Sequence, residues 1–184
     1  MFDDAIHDEA QRTAALAFWR YAHDYLRIAQ TLCKQHRIAC IESQVPYHIA
    51  AQGLEFAMKA YLRAKDVSPI ELRTKVGHSL TAAMELCVAH GLPPLPAEAK
   101  RAIEGIAPFH QGDHFRFFIT EHEEFPCLDP LVVAGIWILE QAAPEVAEHY
   151  VKHHAAPSSP PVIDFVRRMK ADLSATSGKL QPVH

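Results

Sequence analysis

Residues 49–62 suit the middle of a helical bundle and little else. Ile49, Ala50, Ala51, Leu54, Phe56, Ala57, Met58, Ala60, Tyr61 and Leu62 cover nearly the whole circumference of an α-helix. Only a thin polar line interrupts them: His48, Gln52, Glu55, Lys59 and Arg63, at spacings of four, three, four and four. A helix with so narrow a polar face is stable only when other elements enclose it. Pro46 is tolerated in a first helical turn, so the spacing predicts a central helix over about Pro46–Lys65. Glu55 and Lys59 stand in the favourable order for an i,i+4 ion pair.

The rest of the chain supplies enclosing helices. Phe18, Tyr21, Tyr25, Ala29 and Leu32 make an apolar stripe on a helix expected from about residue 9 to 37. Ser68-Pro69-Ile70-Glu71 has the form of a capping box and opens a short helix interrupted near Gly77. A helix is expected over about His78–His90, with Gly91 as its C′ residue, and another over Ala97–Ala107. Residues 108–127 are expected to be a loop. Asp129-Pro130 starts a last large helix to about residue 154, which Pro144 should kink or split. Ala156-Pro157-Ser158-Ser159-Pro160-Pro161 is a linker before a short helix over Val162–Leu173 and a frayed end. Alternating strand patterns and Asn-Gly or Asp-Gly hairpin signals are missing. The expectation is an all-α, up-and-down bundle of about four main helices with short accessory helices over residues 1–155. Residues 156–184 form a linker with a C-terminal helix or tail.

Composition narrows the functions. With 18 basic and 22 acidic residues the formal net charge is −4, so bulk electrostatics will not hold nucleic acid. Between residues 59 and 75, however, five basic residues (Lys59, Arg63, Lys65, Arg73, Lys75) face two acidic ones (Asp66, Glu71), a local +3. That segment is either a solvated helix end or a patch for phosphate. The longest strongly apolar run, Leu131–Leu139, is far too short to span a bilayer, and the acidic start Met1-Phe2-Asp3-Asp4 is unlike a signal peptide. Cysteines 33, 40, 87 and 127 form no Cys-x-x-Cys pair and are expected to be reduced core residues of a cytoplasmic protein.

Three further segments belong together. The central helix carries Leu54-Glu55-Phe56-Ala57-Met58-Lys59-Ala60-Tyr61-Leu62; Gly77-His78-Ser79-Leu80 follows; Phe115-Arg116-Phe117 comes 30 to 40 residues later. In this order and spacing the chain resembles the HEPN superfamily of small helical bundles, over roughly residues 10–150. The resemblance implies a bundle that often dimerises and a signature of an arginine followed, after four to six residues, by a histidine, which Arg73 and His78 match. In ribonuclease members of that superfamily the pair sits at the dimer cleft and cleaves RNA without metal, and some act as toxins or in defence. The chemistry suits the residues. A histidine exchanges protons with a 2′-hydroxyl or leaving oxygen near neutral pH, and an arginine stabilises charge growing on a phosphate.

On this reading Arg73 and His78 are catalytic. Glu55 and Lys59 orient them, and Arg63, Lys75 and Arg116 contribute to RNA or nucleotide binding. The residue after the arginine is Thr74, where active members carry Asn, Asp or His. On a straight α-helix, residues five apart are also separated by about 140°. Gly77 either supplies the break that brings Arg73 and His78 together, or marks His78 as the first residue of the next helix, bonded to backbone groups or to Glu55. The alternative is a non-catalytic helical interaction and dimerisation module.

Thirteen histidines in 184 residues invite a search for metal ligands. Neither Glu-x-x-His nor His-Glu-x-x-His occurs. His149 and His153 are four apart on one helix, and His110 and His114 would be if their stretch were helical. Nothing in the sequence marks a third or fourth ligand, and Glu145 with His149 has the spacing of a surface pair. No metal and no cofactor is therefore expected, and a metal-binding bundle that uses the late histidines is kept as a third alternative.

Overall fold

The computed structural model describes residues 14–39, 43–112 and 127–154, with Arg168 and Ala171 alone beyond them. Among the described residues all regular structure is helical. In chain order the helices are α1 (Ala15–Ala39), α2 (Val45–Ala64), α3 (Pro69–Glu71), α4 (Leu80–Ala89), α5 (Ala97–Gln111) and α6 (Leu128–His154). A π-helical turn, Leu72–Val76, continues α3. The protein is an all-α helical bundle, and none of these helices is long and apolar enough to cross a membrane.

Helix α2 is enclosed, as its apolar circumference requires. It packs most heavily on α1 and α6, with α4 and α5 on its flank. Leu54, Met58 and Leu62 are fully buried, each contributing about 2 kcal/mol through the apolar area removed from water. The three long helices meet at Leu26. Its side chain fits a notch between Gly53 and Gly135, where an added Cβ would lie 2.9 Å and 2.4 Å from Leu26 carbons. Trp19 fastens α1 to α6, its buried indole N–H donating to the Leu139 carbonyl at 3.2 Å.

Two terminators of the central segment follow capping rules. Helix α2 ends in a Schellman motif. The Val67 N–H donates to Leu62 O and the Asp66 N–H to Arg63 O, both at 3.1 Å. Asp66 occupies the left-handed C′ position with φ 62°, where glycine is usual. Ser68 then caps α3 by accepting from the Glu71 N–H at 3.1 Å. The Glu71 carboxylate pairs with Lys75 at 2.5 Å.

Several expectations need correction. Helix α5 runs through Pro108 to Gln111, where a loop was expected from residue 108. A proline removes one backbone donor, and the buried face Ala99, Ala102, Ile103, Ile106, Ala107 and His110 holds the helix together beyond it. Pro144 does not split α6. His78 does not begin a helix: Ser79 caps α4 by accepting from the Ala82 N–H at 3.2 Å, and His78 precedes that cap. Cys33 and Cys87 are buried, but Cys127 is exposed. The Val162–Leu173 helix, apart from Arg168 and Ala171, the 156–161 linker and Cys40 lie outside the described residues.

Candidate functional site

The polar line of α2 converges on Glu55, which is 1% exposed. A bare carboxylate there would cost several kcal/mol. Three donors compensate it. Lys59, one turn on, reaches Oε1 at 2.6 Å. His110 Nε2, from the end of α5, lies 2.5 Å from Oε2, and His78 Nδ1 lies 3.2 Å from the same oxygen. Burial alone would raise the Glu55 pKa. The His110 hydrogen bond and the Lys59 ammonium outweigh it and hold the carboxyl at about 2. Glu55 is therefore a buried anion that fixes three surrounding cationic or polarisable groups.

The two imidazoles differ in exposure. The His110 side chain is 3% exposed, and its Nδ1 has no hydrogen-bond partner among the described residues. The His78 side chain is 64% exposed. Its ring is gripped at Nδ1 by Glu55 and its remaining edge faces outward. Backbone geometry accounts for this placement. The Gly77 N–H closes the π turn on Leu72 O at 2.9 Å, and Gly77 then leaves it at φ 55°. A Cβ at Gly77 would meet nothing nearer than 3.7 Å, so conformation rather than space demands glycine there. The 140° separation that a straight α-helix would impose does not apply across a π turn and a left-handed glycine.

His78 and Arg73 line one open cleft of about 430 Å³, together with Lys59, Phe18, Pro69, Ile70, Leu72 and Gly77. Its polar rim is cationic: Arg73 is exposed and forms no ion pair with any described residue, and Lys59 shares its charge with Glu55. Phe18 adds an aromatic wall and packs against the tilted Phe56 ring, centroid to centroid 5.9 Å. The volume lies within the range of small-molecule pockets.

Other candidate residues stand elsewhere. Glu55 is too deeply buried to touch a ligand; it contacts Lys59 and His78. Arg63 is outside the cleft lining; its guanidinium donates to Val67 O and ties down the end of α2, and burial lowers its pKa. Lys75 is also outside the lining, paired with Glu71. Thr74 donates back to Ile70 O at 2.9 Å. Arg116, Phe115 and Phe117 lie outside the described residues.

Sequence reasoning missed His110 and Phe18. His110 was legible as the next position of the α5 apolar face, four beyond Ile106, had that face been followed past Pro108. No signal in the sequence separates Phe18 from other core aromatics.

A second titratable cluster sits at the far end of α2. Asp66 Oδ1 lies 3.6 Å from His149 Nε2 and 3.6 Å from His153 Nε2, both on α6. Lys152 donates to Asp66 Oδ2 at 3.1 Å. Glu145, one turn before His149, is engaged by Lys65 at 2.7 Å.

No family model, no curated protein and no solved structure matches the chain.

Proposed function

We propose that this chain is a HEPN-like RNA- or nucleotide-binding protein that cleaves RNA without a metal, working as a homodimer in the cytoplasm. The observation that carries the reading is the shared cleft. Arg73, His78 and Lys59 line one opening, and the His78 ring is braced by buried Glu55. In this reading Arg73 binds the phosphate and stabilises charge growing on it. His78 moves the proton of the attacking 2′-hydroxyl or of the leaving oxygen, and Glu55 fixes the ring. Phe18 offers a face on which a base can stack. Ile70, 64% exposed at the rim, is where a second copy would close the cleft.

The test is full-length protein incubated with single-stranded RNA in EDTA, beside His78→Ala and Arg73→Ala. Cleavage that survives EDTA and disappears in both variants supports the reading. Wild-type protein that neither cuts nor binds RNA overturns it.

A second reading, a non-catalytic interaction module, is favoured by Thr74. Its hydroxyl is tied to its own helix, so the residue after the arginine offers the cleft no polar group. Wild-type protein that neither cuts nor binds RNA would select it.

A further inference from the structure

The cluster at the end of α2 has no place in the cleft chemistry, and its distances are of a different kind. The contacts of Asp66 Oδ1 to His149 Nε2 and His153 Nε2, both 3.6 Å, are too long for hydrogen bonds. They do suit a cation between the atoms. A tetrahedral zinc about 2.0–2.2 Å from each ligand atom separates neighbouring ligand atoms by roughly 3.4 Å. The three ligand atoms all lie within 4.8 Å of one another. His149 and His153 are one helical turn apart on α6, the spacing with which a helix presents two imidazoles to one ion. The third ligand comes from another element, the turn after α2.

We propose that Asp66, His149 and His153 bind a divalent transition cation, with zinc as its reference member, leaving at least one coordination position to solvent. Two imidazole nitrogens and one carboxylate oxygen suit zinc and its neighbours better than magnesium or calcium, which want more oxygen ligands. Lys152 engages the other carboxylate oxygen, Oδ2, and so orients Asp66 without occupying Oδ1. His149 is 11% exposed and His153 43%, so the site opens from one side. The Glu55 cluster is not a rival position. His110 Nε2 and Glu55 Oε2 are 2.5 Å apart, too close for an ion between them, and Lys59 holds the second oxygen.

Chelator-stripped full-length protein is titrated with Zn²⁺ by calorimetry, and Co²⁺ is added separately to read its visible spectrum. One zinc per chain is expected, with a tetrahedral-type cobalt spectrum. His153→Ala and Asp66→Gly should each weaken zinc binding by about tenfold or more. Asp66→Gly is the decisive variant, because glycine suits the left-handed C′ position and the fold is kept. Circular dichroism and the zinc-free melting midpoint check that. His78→Ala should leave zinc affinity unchanged. The proposal is overturned by wild-type protein that takes up no stoichiometric zinc, by uptake that survives both His153→Ala and Asp66→Gly, or by uptake lost in His78→Ala. None of these results depends on RNA cleavage, which is assayed in chelator.

Discussion

The middle of α2 and the turn that follows it each gather one carboxylate and two imidazoles, yet they are built for opposite purposes. At Glu55 the ligand atoms are drawn to 2.5–3.2 Å and the carboxylate is 1% exposed. At Asp66 both imidazoles stand off at 3.6 Å and the Asp66 side chain is 58% exposed. The same residue types thus make a closely paired network around a buried carboxylate in one place and a widely spaced set of ligand atoms around an exposed one in the other. Burial decides which. A carboxylate away from water must be compensated within the protein, whereas one in water can wait for an external cation.

The largest effect should come from removing the buried carboxylate. Glu55→Ala leaves Lys59, His78 and His110 around an empty anion site. It should cost about 3–5 kcal/mol in urea unfolding, the range for breaking a buried pair from one side. Asp66→Gly, just past the end of the same helix, should leave stability unchanged or raise it, because glycine removes the left-handed strain. Equal losses in the two variants would erase the contrast.

Acid should separate the regions next. Glu55 has a folded pKa of about 2 against an ordinary 4.5. A depressed carboxylate pKa adds stability that is present above about pH 4.5 and lost as pH falls towards 2. The shift corresponds to about 3 kcal/mol. Glu55→Gln should flatten this part of the stability–pH curve relative to wild type, while Asp66→Gly should keep most of it. Denaturant midpoints measured across that acid range check the difference.

These contrasts also mark how far the sequence could be read. The central helix, its polar line and the Glu55–Lys59 pair follow from periodicity, because a helix fixes the geometry of residues three and four apart. Gly91 at a C′ position and the Ser68 cap follow from local rules too. Among contacts that join distant segments, His78 to Glu55 was one of the options the sequence offered, and the others were not legible. His110 comes to Glu55 across 55 positions, and Asp66 comes to His149 across 83, through packing that no local pattern encodes. Arg73 and His78 were named as a pair, but their shared cleft depends on a π turn, and nothing in Leu72-Arg73-Thr74-Lys75-Val76 announces one.

Single histidines give a smaller, cleaner difference. His110→Ala should destabilise the fold by about 2–3 kcal/mol, since it opens a cavity and removes a charged hydrogen bond to Glu55. His153→Ala, on an imidazole 43% exposed, should stay within about 0.5 kcal/mol without zinc. Thermal melts with and without added zinc would sharpen the comparison. The zinc-dependent rise in melting midpoint should be lost in His153→Ala, since a ligand that binds only the folded state stabilises it by mass action.

The smallest effect concerns Lys152, and it tests how the open cluster is tuned. Its ammonium lies 3.1 Å from Asp66 Oδ2, a position from which it both orients the carboxylate and repels an incoming cation. The side chain is 62% exposed, so solvent screens the repulsion strongly and the pair itself contributes little to folding. Lys152→Met removes the charge and keeps the length of the side chain. If repulsion outweighs orientation, zinc binding should tighten by less than about tenfold, and the gain should shrink as salt is raised. A loss of affinity in Lys152→Met would mean that orientation is the larger contribution. The Asp66 cluster would then share with the buried Glu55 site a dependence on a lysine.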